Sequence, residues 1–164
     1  MGDSPEVHKS NWRDPEKWRA LVSGEVCPIC ADDGKPYGIV VELAATYLTV
    51  ERNVPFRGNC CLVLKRHAIE LYDLGEAEAA LLMDDMRRVS RALKAVTGAV
   101  KINVDIHGNT LPHMHAHFFP RYVGDPYEGG PIDFRLAEDN REFTYGPDEF
   151  RKFAENLRAA VRAD

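Results

Sequence analysis

Three of the six histidines of this 164-residue chain stand at alternate positions, in His113-Met114-His115-Ala116-His117. A strand sends alternate side chains to opposite faces. The spacing therefore predicts three imidazoles aimed one way, with Met114, Ala116 and Phe118 aimed the other way into a core. Packing gives no reason for such a row, because each imidazole must find a hydrogen-bond partner or water. Chemistry does. An imidazole titrates near ~6.5, so at neutral pH a ring nitrogen can attack an electrophilic phosphorus and form a covalent intermediate that water resolves. A second imidazole on the same face can bind a phosphate oxygen or protonate the leaving group. Phosphoryl and nucleotidyl transfers need little beyond alignment and charge stabilisation. Three histidines on one strand also suit a mononuclear metal site with an open position. They can also line a polar groove, a reading well behind the other two, between which spacing alone does not choose.

The neighbours fit phosphate chemistry. Gly108-Asn109-Thr110 offers backbone N–H, amide and hydroxyl donors just before the row, and Asn103 offers another amide. Cys27-Pro28-Ile29-Cys30 is half of a zinc site, a redox pair, or two buried thiols. With no second Cys-x-x-Cys, a metal there would draw its other ligands from histidines. Cys60 and Cys61 are adjacent, so on a strand they face opposite ways and read as packing residues. His8 and His107 read as exposed residues without a role.

Several elements must position these groups. Val100 to Ile106 alternates apolar and polar residues, as a half-buried strand does, and a tight loop through Pro112 returns the chain as the histidine strand. The two should pair antiparallel. Gly38–Leu43, Tyr47–Val50 and Asn59–Lys65 read as further short strands. The clearest helix runs from Glu76 to Val96, with Leu82, Met86, Val89, Leu93 and Val96 at steps of four and three and Gly98 as its C-cap. Asp84, Asp85, Arg87, Arg88, Arg91 and Lys94 read as its solvated side. Asp14 and Pro15 open a short helix that Gly24 ends. Gly146-Pro147 opens a last helix striped by Phe150, Phe153, Leu157 and Val161. The sum is an α+β domain: an antiparallel sheet of about five strands, one long helix packed on it, and a C-terminal helix.

The totals agree. A 45% apolar, 29% charged chain of this length suits one globular domain. A net charge of −5 argues against binding nucleic acid by phosphate neutralisation, though not against a small nucleotide in a local pocket. No apolar run approaches ~20 residues, so no membrane span is expected. The acidic, polar N-terminus is not a signal peptide, so the expected compartment is the cytoplasm, with reduced cysteines.

Residues 58–121 resemble the histidine-triad (HIT) family. His113-Met114-His115-Ala116-His117-Phe118-Phe119 is similar to its His-φ-His-φ-His-φ-φ motif, with φ apolar, and Pro120-Arg121 follows as is common there. Leu62 to His67, then Leu71-Tyr72-Asp73-Leu74, resembles the family's strand-Pro-Lys-x-His segment and the Asp-Leu before its long helix. Cys27-Pro28-Ile29-Cys30 resembles the N-terminal Cys-x-x-Cys of many bacterial members. Two positions depart from the pattern: Asn59 replaces a histidine after Gly58, and Leu64 replaces a proline before Lys65.

The resemblance implies a HIT-like fold over residues 27–123. Residues 1–26 would be an N-terminal extension with a short helix, and residues 124–164 a loop and helix packed on the same domain. It implies a nucleotide hydrolase or nucleotidyltransferase acting at the α-phosphate of a nucleoside 5′-phosphoramidate or dinucleoside polyphosphate. His115 would be the covalent nucleophile, His117 would contact the phosphate or leaving group, and His113 would support the site. Asn103, Asn109 and Thr110 fall at phosphate or leaving-group contacts, and Glu51 near a ribose-binding acid. No metal is needed for that chemistry, but some bacterial members hold a structural zinc, here by Cys27, Cys30, His67 and His113. The implied partners are a purine nucleotide or nucleotide conjugate and a second copy of the chain. The alternatives are a nucleotide-binding module with little turnover and a metalloenzyme built on the three histidines.

Overall fold

The computed structural model describes residues 10–31, 35–50, 56–132 and 145–163. The chain runs through helix α1 (Pro15–Val22), strands β1 (Ile39–Glu42), β2 (Thr46–Val50) and β3 (Cys60–Leu64), helix α2 (Glu76–Thr97), strands β4 (Lys101–Ile106) and β5 (His115–Arg121), and helix α3 (Pro147–Ala163). The strands form one five-stranded sheet in the order β1-β2-β3-β5-β4, antiparallel at every step. The histidine strand β5 is thus interior, with β3 on one side and β4 on the other.

Alternation divides the sheet cleanly. Leu48, Val50, Cys60, Leu62, Ala116 and Phe118 share one face and form the main core with Val89, Ala92 and Leu93 of α2 and Phe153, Leu157 and Val161 of α3. Burying a side chain of this size contributes about 1.5–3 kcal/mol, so their apolar stripes, more than intrinsic propensity, hold α2 and α3 in place. The opposite face carries Thr49, Cys61, His117 and Asp105 in one row across the sheet, beside a second row of Tyr47, Val63 and His115. At Gly58 a Cβ would come within 2.9 Å of both Pro120 and Thr97, which is why the turn into β3 takes glycine.

Helix α1 starts as its sequence predicts, with the Asp14 carboxylate accepting from the Lys17 amide at 3.0 Å and Pro15 at the first position. α2 ends at Gly98, whose φ of 70° is left-handed.

Two expectations fail. Asp85 is not on a solvated face. It is 3% exposed, and its Oδ2 accepts from the Ala45 amide and the Thr46 hydroxyl, both at 2.9 Å, capping the β1–β2 turn. In β4 the apolar residues are not the more buried set: Val104 and Ile106 are each 36% exposed, while Asn103 and Asp105 are part-buried. β4 is a sheet edge, and its polar side faces the histidines. No helix among the described residues is long and apolar enough to cross a membrane.

Candidate active site

The strand order brings His115 and His117 together on the face away from the helices. Their ring centroids are 4.9 Å apart at 81°. His115 Nδ1 lies 2.6 Å from the carbonyl oxygen of His113. A carbonyl only accepts, so Nδ1 holds the proton and the lone pair of His115 sits on Nε2. The His117 ring stacks on Phe119, with centroids 5.9 Å apart at 16°, and Phe56 braces Phe119 edge-on from 5.7 Å. Burial, with the His115 and His107 imidazoles adding to it, pushes His117 down to about 4. It is therefore neutral at physiological pH, with one ring N–H to donate.

Asn103 lies on the same face, held by Arg121. The guanidinium of Arg121 donates to Asn103 Oδ1 at 3.1 Å, to both Asp125 carboxylate oxygens at 2.9 and 2.8 Å, to Gly130 O at 2.8 Å and to Tyr127 O. A guanidinium only donates, so the amide atom facing it is oxygen and the Asn103 NH2 group points elsewhere. Arg121 is buried, and it holds the Asp125 carboxyl below the usual carboxylate range. The sequence offered only the Pro-Arg after the motif as a hint of this post.

Asn109 and Thr110 are exposed in the loop between β4 and β5, where Gly108 has a φ of +92°. The Thr110 carbonyl accepts from Asn11 Nδ2 at 2.6 Å, tying the N-terminal segment to this loop. Glu51 lies outside the described residues.

The ring of His113 does not join the other two. His113 precedes β5, is fully buried, and turns Nδ1 toward Cys27 Sγ and Cys30 Sγ at 3.5 Å each and toward His67 Nδ1 at 3.2 Å; Cys30 Sγ is 3.3 Å from His67 Nδ1. Cys27, Cys30, His67 and His113 are the one group among the described residues able to surround a metal ion, and His115 and His117 are not part of it. Both remote nitrogens are occupied. His113 Nε2 donates to Leu64 O at 2.8 Å and His67 Nε2 to Val22 O at 3.0 Å. Each Nδ1 therefore presents a lone pair to the other, an arrangement a cation between them would stabilise. Tetrahedral zinc with two thiolates and two imidazoles puts neighbouring donor atoms roughly 3.3–3.8 Å apart, with the N–N and N–S pairs at the short end, close to these spacings. The donor set fits.

Two further residues stand on this face: Asp105, which the sequence reading did not single out, and His107, which it read as exposed and without a role. Asp105 stands opposite His117 across the β4–β5 ladder, and His107 follows it two residues on. The signal was there, because Asn103, Asp105 and His107 alternate just as the histidines of the facing strand do. Cys61, opposite His117 from the β3 side, is pushed up to about 12 by burial and stays a thiol. Asn59, in place of the family's histidine, donates to Phe118 O at 3.4 Å within the sheet.

The HIT domain family matches residues 35–124, more than half of the chain. The chain belongs to the HIT family. A curated HIT relative, the asymmetrical bis(5′-nucleosyl)-tetraphosphatase of Schizosaccharomyces pombe, is 28% identical over 103 residues, covering 60% of this chain and 56% of the relative. This HIT chain thus spans little more than half the length of that relative. Among solved structures, a histidine-triad protein from Bradyrhizobium japonicum is 28% identical with a TM-score of 0.61, over 75% of this chain and 89% of its own. A second, from Sinorhizobium meliloti, is 25% identical with a TM-score of 0.62, over 75% and 88%. The five-stranded antiparallel sheet with its helices is the HIT fold.

Proposed function

We propose that this HIT protein is a hydrolase or nucleotidyltransferase that cleaves at the α-phosphate of a purine nucleoside 5′-phosphoramidate or dinucleoside polyphosphate. The observation that carries this is the Nδ1–carbonyl bond of His115. That bond supports the tautomer whose Nε2 lone pair can attack phosphorus, and the neutral His117 ring lies 4.9 Å away, centroid to centroid. Nε2 bonds to the α-phosphorus as the leaving group departs with its electron pair. Water then attacks the phosphorus, the P–N bond breaks, and the nucleoside monophosphate is released. The His117 N–H and the Asn103 amide hydrogens donate to the phosphate oxygens as charge builds on them. Asn109 and Thr110 extend that set from the adjoining loop, and His113 contributes its carbonyl.

The test is intact-protein mass, taken early after mixing wild type or His115→Ala with adenosine 5′-phosphoramidate or a dinucleoside tetraphosphate. A nucleotidyl adduct on wild type only is expected. Bound nucleotide with neither adduct nor turnover would make the chain a binding module instead.

Two partners belong to this reading. The four-residue cluster holds a structural zinc that ties Cys27 and Cys30, just after α1, to the start of the histidine strand. A second copy of the chain pairs along β4. The opposite edge, β1, is blocked where Arg158 Nε donates to Val40 O at 3.0 Å, whereas β4 leaves Val104 and Ile106 half open at its edge.

A further inference from the structure

We propose that His107 and Asp105 form an acid–base pair that serves the leaving group. The proposal rests on the nucleotidyl-histidine reading and adds to it the proton that reading leaves unassigned.

Three observations place the pair. Asn103 and Asp105 occupy alternate positions of β4 on the histidine face, and Asp105 is in register with His117. The ladder ends at Ile106–Ala116, and His107 is the first residue after β4. The His107 ring lies 6.2 Å from the His117 ring, centroid to centroid, and its Nε2 lies 4.0 Å from Asp105 Oδ2.

A carboxylate on a face that receives phosphate is out of place unless a cation answers it. The charge of Arg121 also reaches Asp105, but its donors are committed to Asp125, Asn103, Tyr127 O and Gly130 O. Among the described residues, His107 stands with Nε2 4.0 Å from Asp105 Oδ2 and can pair with it when protonated. Its side chain is 48% exposed, so it can meet both substrate and water. His117 is poorly suited to the proton transfer, since burial among imidazoles keeps it neutral. The two rings divide the work: His117 donates a fixed N–H to phosphate, and His107 exchanges the proton.

The balance closes. As His115 Nε2 bonds to phosphorus, the bond to the leaving nitrogen or oxygen breaks and its electron pair takes a proton from the His107 ring, which stands beside Asp105. In the second half, water attacks phosphorus, the P–N bond to His115 breaks, and the proton lost by water returns to His107. No other reactant is needed.

The experiment compares two substrates of wild type, His107→Gln and Asp105→Asn by rapid quench, reading the rate of adduct formation by mass. Adenosine 5′-phosphoramidate has a leaving amine that needs a proton. The p-nitrophenyl ester of adenosine 5′-monophosphate has a leaving phenolate that does not. His107→Gln should slow the amine substrate by about 100-fold or more and the nitrophenyl ester by less than about threefold. Asp105→Asn should slow only the amine substrate, by about tenfold. Equal slowing of both substrates, or of neither, overturns the proposal. Wild type giving no adduct from either substrate overturns the nucleotidyl-histidine reading, so the two failures are told apart.

Discussion

His113 serves two sites at once: its carbonyl oxygen fixes His115 Nδ1 at 2.6 Å, while its own Nδ1 faces two cysteine sulfurs at 3.5 Å. His115 and the Cys/His cluster are joined through one residue. Removing a bound metal with a chelator should therefore loosen the preference of His115 for the Nδ1–H tautomer, seen in imidazole 15N shifts, as well as lower the melting temperature. Unchanged His115 shifts in chelated, still folded protein would uncouple the sites.

Metal affinity should weaken in acid. Burial and the adjacent Cys27 thiol push Cys30 up to about 11, so the thiol must lose its proton to bind. Each proton released changes the apparent affinity by about tenfold per pH unit in the range where the thiols are protonated. Competition with a zinc chelator at two pH values measures the slope.

Arg121→Lys should harm turnover more than folding. A lysine has one charged nitrogen and cannot reach Asp125, Asn103 and the loop carbonyls together. The Asn103 amide is then free to turn, and kcat should fall about tenfold with little change in KM, because an oriented donor matters most in the transition state. A change confined to KM would give Asn103 only a binding role.

Stability should fall as the pH drops from about 6.5 toward 4, in part through His117. The folded chain keeps this ring neutral until about 4, whereas the unfolded chain protonates it near the ordinary 6.5. In that window the unfolded state binds more protons, so its share rises as pH falls, at no more than about 1.4 kcal/mol per pH unit. Depressed carboxylates such as Asp125 also lose stability in acid. The difference between wild type and His117→Gln in urea midpoints across this range isolates the histidine.

Asp85→Ala should destabilise the fold by about 2–4 kcal/mol, because it leaves the Ala45 amide and the Thr46 hydroxyl buried without their acceptor. Urea unfolding checks the magnitude. Ile106→Lys tests the β4 edge: sedimentation should show a dimer for wild type and a monomer for the variant, with the fold retained.

Sequence carried the local features well. The four-and-three rhythm of Leu82, Met86, Val89 and Leu93 located α2 to within a residue at its C-terminal end, and Gly98 ended it as glycine does. The strands around Leu48, Leu62 and Val104 followed from their composition and turns. What it missed depended on distant partners. Asp85 looks like any helix-surface carboxylate until a turn 40 residues earlier is docked on it. The alternation of β4 was visible, but which side would be covered depends on the strand order, and that order turned its polar side to the histidines. The split of His113 from His115 and His117 came from the chain leaving strand geometry before His115, which a period of two does not reveal.

The Cys/His cluster also has a consequence for the unfolded chain. Cys27 and His113 are 86 positions apart, so a metal bound to both acts as a reversible cross-link that closes most of the sheet into one loop. A permanent link over roughly 100 residues removes unfolded-state entropy worth about 4–5 kcal/mol. A metal link supplies some fraction of that only while it is bound. Metal supply would then set how long a newly made chain survives, before it affects how fast the chain works.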